Sequence, residues 1–303
     1  MTDYTADEIG VLSMMEQLAF RVARRMNQGR AKIFWTRYQR AIPARLIQFA
    51  MSNLLRVHGI EQFDRTSVSR PVLLISNHRS FFDMYVVSSM LVRRTNRQVK
   101  TYFPVRARFF YDSPAALAIN ALAAGWSMYP PFFQSHEKRA FNTYALRVLA
   151  DLCRSGEGHL IGYHPEGTRN RGADPYTFLR PQPGIGQLVL DTAPQVIPVF
   201  VAGLDNSVVR QVRRNWRRGT VELVRIHFGP PLDLAQFLGR ERRARTYKEI
   251  ADFLMQGIAM LAEQDRALYA VAKPVANGQR DERSAATEPT LVQARIDAQD
   301  RTN

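Results

Sequence analysis

The feature that most constrains this chain is the alternation, between residues 67 and 272, of short branched apolar runs with segments patterned for helix. Residues 71–76 read PVLLIS, an unbroken apolar run of the kind that forms a strand buried on both faces. Helical character follows over residues 80–94, a strand pattern over 98–103, and a helix over 114–124. Residues 137–155 place Phe141, Tyr144, Ala145, Val148, Leu149 and Leu152 on one helical face before Gly156. A strand at 159–163, a helix near 184–192, strands near 196–201 and 221–228, and a long amphipathic helix through Ile250, Phe253, Leu254, Ile258 and Leu261 complete the series. This order predicts an α/β layered domain with a largely parallel mixed sheet flanked by helices, preceded by N-terminal amphipathic helices.

Composition narrows the partners. The 303 residues carry a formal charge of +15, which points to an anionic partner: nucleic acid, a membrane surface or a phosphorylated ligand. The excess lies in acid-free stretches. The longest, residues 17–60, holds Arg21, Arg24, Arg25, Arg30, Lys32, Arg37, Arg40, Arg45 and Arg56, interleaved with Phe20, Phe34, Trp35, Tyr38 and Phe49. Others cover residues 84–111, including Arg106 and Arg108, and residues 206–221, including Arg210 and Arg218. Within residues 44–58, Leu46, Ile47, Ala50, Met51, Leu54 and Leu55 recur at helical spacing up to Gly59, a C′-type stop. A basic helix with an aromatic and aliphatic face suits a membrane interface, and it equally suits packing on its own domain. No stretch reads as a membrane span: the best, residues 113–135, is interrupted by Pro114, Asn120, Pro130, Pro131 and Gln134. Residues 273–303 balance their charges, lack aromatics and are expected to be disordered.

The single cysteine, Cys153, excludes an intrachain disulfide and multi-cysteine metal sites, and on a helix with an apolar face it is expected to pack. The first residues lack the basic and apolar regions of a secretory signal, which predicts the cytoplasmic side. The resulting division is a membrane-associating helical segment over 1–66, a catalytic α/β domain over 67–272 and a tail over 273–303.

In open α/β sheets, functional groups gather where strands lead into helices. Two such loops carry chemistry. The first, Ser76-Asn77-His78-Arg79-Ser80-Phe81-Phe82-Asp83, places a histidine in a turn and a carboxylate five residues on, so that Asp83 can fix one ring nitrogen of His78 and leave the other as a base. Ser80 and Asp83 also read as a helix capping box. The second loop, His164-Pro165-Glu166-Gly167-Thr168-Arg169, offers a carboxylate, a glycine, a hydroxyl and a guanidinium suited to phosphate, or else a polar turn.

Taken together and in this order, the two loops resemble those of the glycerolipid acyltransferase family, typified by 1-acylglycerol-3-phosphate acyltransferases. The likeness runs over roughly residues 67–230 and extends to Phe178-Leu179-Arg180-Pro181-Gln182-Pro183-Gly184 and to Val196-Ile197-Pro198-Val199. It implies transfer of a fatty acyl group from acyl-CoA or acyl carrier protein to the hydroxyl of a lysophospholipid or related glycerolipid acceptor, without cofactor or metal, at the cytoplasmic face of a membrane. In that reading His78 is the general base, Asp83 its orienter, Arg169 a phosphate-binding residue, and Glu166, Gly167 and Thr168 shape the acceptor pocket. The chain departs from the family in two places. Residues 125–133, GWSMYPPFF, lack the family's arginine, the nearest following cations being Lys138 and Arg139; and His164 stands where an apolar aromatic residue is common, which suggests a local role at the strand end. Two other classes remain open: an idle membrane-binding or lipid-sensing protein on the same scaffold, and a nucleic-acid binder, for which charge speaks but no motif does.

Overall fold

The computed structural model describes residues 2–67, 69–95, 98–154, 156–217 and 222–270; the tail predicted at 273–303, and Arg218, lie outside the described residues. Met1–Ala267 forms one compact unit, and Leu268–Asn303 a second, of which only the last helical residues are described.

Four helices come first: α1 (Ala6–Gly10), α2 (Met14–Met26), α3 (Gly29–Ala41) and α4 (Pro43–Met51). Strand β1 (Leu55–His58) follows, then β2 (Val72–Ser76), α5 (Asp83–Arg94), β3 (Lys100–Tyr102), β4 (Val105–Arg106), α6 (Pro114–Leu122), β5 (Pro131–Phe132), α7 (Arg139–Arg154), β6 (His159–Tyr163), α8 (Pro183–Thr192), β7 (Gln195–Ala202), α9 (Val208–Trp216), β8 (Val224–Phe228) and α10 (Ala244–Ala270). The main sheet has six strands in the order β1-β8-β7-β2-β6-β3, all pairs parallel except β7 with β8, as expected for a largely parallel mixed sheet. Strands β4 and β5 form a separate parallel pair.

Alternation along central strand β2 builds two layers. Leu73 and Ile75 face a core with Phe141, Tyr144 and Val148 of α7, Ile185 of α8 and Ile250 and Leu254 of α10. Val72 and Leu74 face the other, with Val86, Val87 and Met90 of α5 and Ala44 and Met51 of α4. Both faces are covered, which is why residues 71–76 read as a continuous apolar run. Buried Asp265 of α10 ties that helix to β8 by accepting from Arg225 and pairing with His227, and to the segment after β6 by accepting from the Tyr176 hydroxyl.

One expectation fails at the N-terminal side. Residues 44–58 are not one helix: α4 stops at Met51, and Leu55–His58 is an edge strand pairing in register with Val224–His227. Gly59 is left-handed, with φ 71°, but it leaves a strand rather than a helix. The pairing is set by β8, far away in sequence, and overrides the local helical spacing. A second correction concerns charge. Lys32 is 2% exposed, its Nζ donating to Asn27 Oδ1 at 2.8 Å and Thr101 O at 2.6 Å above the Tyr102 ring, so it holds α3 to β3 and is no surface cation. Burial holds its pKa well below the ordinary lysine range. Arg24 is paired with Asp3 at 2.6 Å.

The N-terminal helices do pack on the domain. Ile9, Leu12, Ala19, Phe20 and Ala23 join the core beside Phe141 and Tyr144. Other apolar residues of the same helices, among them Phe34, Leu46 and Phe49, remain exposed. Cys153 is buried, its thiol pushed up to about 12 by burial, as a packing residue. No helix among the described residues is long and apolar enough to cross a membrane.

Candidate active site

The two polar loops meet at the carboxyl ends of neighbouring strands β2 and β6, as their parallel pairing requires. Asn77 anchors the first. Its side-chain amide donates to Val201 O and its oxygen accepts from Val201 N, both at 2.8 Å, continuing the β2–β7 ladder through a side chain. The next residue is therefore held at a fixed exit angle from the sheet.

That residue is His78. Its Nδ1 lies 3.1 Å from Asp83 Oδ2, the geometry expected of a histidine held by a carboxylate. The same Oδ2 accepts from the backbone N–H of Arg79 at 2.7 Å and of Ser80 at 2.9 Å. The Ser80 bond is the acid's half of the predicted capping box, but the box is not formed: the helix starts later than expected, at Asp83, with Phe82 at its N-cap, and the Ser80 hydroxyl accepts instead from the Phe82 N–H. Oδ1 of Asp83 is buried with no hydrogen-bond partner among the described residues. Burial lifts the Asp83 carboxyl to about 6, against the lowering effect of its backbone donors. Burial, then the charges of Arg169 and Arg106, push His78 down to about 4. Near neutral pH the pair is accordingly neutral imidazole and carboxylate, the state a general base needs.

Glu166 is 1% exposed, and it does not act as a free acid. Its Oε1 accepts from the His78 backbone N–H and its Oε2 from the Leu179 N–H, both at 2.8 Å. It thereby clamps the base-bearing loop to the segment after β6, and burial raises its pKa. Replacing Glu166 by alanine strands two N–H groups and is expected to cost about 2–5 kcal/mol of stability; Glu166→Gln, which keeps one acceptor, costs roughly half of that range. Denaturant unfolding of the two variants measures both. Gly167 has φ 66°, and a Cβ there would come 2.9 Å from Gln182 Cγ, so the turn needs glycine.

His78 lines a cavity of about 430 Å³. One part is apolar, formed by Met84, Tyr85, Phe103, Met128 and Phe132; at Gly162 a side chain would collide with Phe103 and Met84 and fill the space. Another part is cationic. Arg169 stacks over the Phe81 ring at 3.5 Å and donates to Asn206 Oδ1 at 3.0 Å, while Gly167 and Thr168 lie exposed along the wall. Phe81 and Phe109, both partly exposed, pack edge to face beside it.

The site brings together all six residues singled out from the sequence and adds two. Arg106, counted above only among the cations of an acid-free stretch, lines the cavity and donates to Gly167 O at 3.2 Å. It lies on β4 directly opposite Phe132 of β5, inside the segment that lacks an arginine, so the cation is supplied from the neighbouring strand. Arg171 also lines the cavity. Lys138 does not line it and is held by both Glu16 oxygens, at 2.6 and 2.7 Å; Arg139 is exposed and likewise absent from the lining.

His78, Asp83 and His164 bring three potential ligand atoms within 4.8 Å of one another. The two imidazoles, however, stack in nearly parallel planes, so their in-plane lone pairs do not converge on one ion. The arrangement suits proton transfer rather than metal coordination.

Residues 54–202, which include both loops, match the family described as Acyltransferase. No curated protein sequence matches the chain. Among solved structures, the crystal structure of the 1-acyl-sn-glycerophosphate (LPA) acyltransferase PlsC from Thermotoga maritima is similar at 17% identity, covering 80% of this chain and 88% of that one with a TM-score of 0.45. The family match thus spans just under half of the chain, and it is over residues 54–202, with both polar loops, that this chain is similar to the acyltransferase family.

Proposed function

We propose that this acyltransferase moves a fatty acyl group from an acyl thioester to the hydroxyl of a lysophospholipid or related glycerolipid, with His78 as general base. The observation that carries the reading is the cavity: a base held by a buried carboxylate stands between an apolar wall and three arginines. An acceptor with an anionic head and an apolar chain fits both parts at once.

The chain's own residues supply each step. With Nδ1 held by Asp83, Nε2 of His78 takes the proton of the acceptor hydroxyl as its oxygen attacks the thioester carbonyl. The C–O bond forms, the tetrahedral adduct collapses with cleavage of the C–S bond, and the proton passes from His78 to the departing thiolate. Asp83 stabilises the intervening imidazolium. Arg169 and Arg106 bind the acceptor's phosphate, Gly167 and Thr168 line the pocket around it, and Glu166 shapes the pocket only indirectly, by holding the His78 loop to the segment after β6. Coenzyme A or acyl carrier protein serves as the thiol carrier. Arg106→Ala and Arg169→Ala are each expected to raise the acceptor KM about 10-fold or more, through loss of a charge-assisted contact. Initial rates across acceptor concentration check this.

Residues 1–66 carry the membrane-facing surface in this reading. Arg21, Arg25 and Arg45 are exposed alongside Phe34, Leu46 and Phe49, and the Phe49 ring lies 5.3 Å from that of exposed Trp216 of α9. Exposed basic and aromatic groups of this kind suit an anionic lipid interface. Binding to anionic vesicles is expected to weaken with added salt and on neutralising Arg21 and Arg25, leaving aside Arg24 because its pairing with Asp3 belongs to the fold. Vesicle co-sedimentation measures it.

Lipid mass spectrometry of cells lacking the protein tests the function. Lysolipid accumulation reversed by the wild-type chain and not by His78→Ala supports it. Unchanged lipids, or equal rescue by that variant, would favour an idle lipid-binding protein instead.

A further inference from the structure

His164 lines the cavity, the reaction above leaves it without a task, and its surroundings are unusually constrained. Its Nδ1 lies 3.1 Å from Ser76 O and 3.1 Å from Asn77 O, the two carbonyls that immediately precede His78. Carbonyl oxygens only accept, so Nδ1 carries the proton and donates to this pair. The Ser76 hydroxyl, 3.2 Å away, donates to Asn77 O. The ring so fixed lies face to face with that of His78, centroids 3.9 Å apart and planes 11° apart.

We propose that His164 is a positioning residue for the catalytic base, bracing the ring of His78 chiefly through the stack, while its Nδ1–H fixes the His164 ring itself against the backbone before His78. This rests on the functional reading given above. The Asp83 bond restrains one edge of the His78 ring but leaves it free to tilt about that edge; a second ring pressed against its face removes the tilt. Burial pushes His164 down to about 3, so the face it presents is a neutral π system, which favours the imidazolium formed when His78 takes a proton. The stack and the donor are separable by substitution. Phenylalanine keeps a ring without the donor, glutamine keeps a donor without the ring, and leucine keeps neither.

Purified full-length His164→Phe, His164→Gln and His164→Leu are compared with the wild type in acyl transfer to a lysophospholipid from an acyl-CoA. Small misplacements of a catalytic group cost up to about 10²-fold in rate. The expected result is a kcat loss of about 10-fold or more in the glutamine and leucine variants, with acceptor KM within about two-fold and phenylalanine restoring most of the rate. Histidine-ring NMR without substrate reads the stack directly: the His78 ring protons carry a ring-current shift in the wild type that the glutamine variant loses and the phenylalanine variant keeps. Wild-type kcat in the glutamine and leucine variants, or losses confined to KM, overturns the proposal. So does a wild-type spectrum without the ring-current shift, even where acyl transfer is active. No acyl transfer by a wild type that shows the shift overturns the functional reading, and this inference with it.

Discussion

Replacing His78 by alanine is expected to lower kcat by about 10²–10⁴, the range supplied by a correctly placed base. The fold is expected to remain. His78 is anchored by its backbone, through its N–H to Glu166 and through its carbonyl, which accepts from Asn170 N at 2.8 Å, and neither bond needs the imidazole. The ring itself lines a cavity and is one-fifth exposed, so its removal opens little new void. Circular dichroism and thermal unfolding close to wild type, together with a collapsed turnover number, are the expected pair of observations. An unfolded variant would instead make the imidazole part of the core.

The second large effect concerns Asp83 and pH. Its carboxyl titrates at about 6 because it is buried, whereas His78 titrates at about 4. Lowering the pH through 6 therefore protonates Asp83 while His78 is still neutral. The negative charge that would stabilise the imidazolium is lost, and kcat/KM falls along an acid limb centred near 6 rather than near 4. Asp83→Asn keeps the shape and removes the charge; it is expected to lose about 10²–10⁴ in kcat, as a neutral partner fails to hold the histidine for proton transfer, and to lose the limb near 6. Stability moves the other way. The folded pKa of Asp83 lies above its ordinary value of 3.8, so this group's stabilising contribution is complete below that value and is lost as pH rises through 6. The activity lost on acidification to pH 5.5 is then not an unfolding effect of this carboxylate, and a melting curve at each pH separates the two.

The fold was legible in the sequence where a signal was local. The strand predicted at 159–163 is β6 to the residue, because a short apolar run ends there in a turn, and the face predicted on α7 is the buried one because 3.6-residue periodicity survives any packing. The two reactive loops were legible for the same reason: each is a contiguous motif after a strand. What escaped depends on residues distant in sequence. Leu55–His58 looks like the end of a helix until Val224–His227 pairs with it. Arg106 gains its place opposite Phe132 only through the β4–β5 pair, so a site short of an arginine along the chain is not short of one in space. Lys32 counts as a surface charge until α3 lies against β3 and Thr101 O captures its ammonium. Glu166 reads as a pocket residue, yet its oxygens are both committed to backbone donors.

The central claim is that this chain forms an ester at a glycerolipid hydroxyl with His78 as the base. Purified full-length protein, anionic vesicles, a radiolabelled acyl thioester and a panel of lysophospholipids test it in one experiment. The account predicts label in acylated lipid, one thiol released per ester formed, and neither product with His78→Ala. No labelled lipid from the wild-type chain on any acceptor, or equal product from His78→Ala, would contradict it.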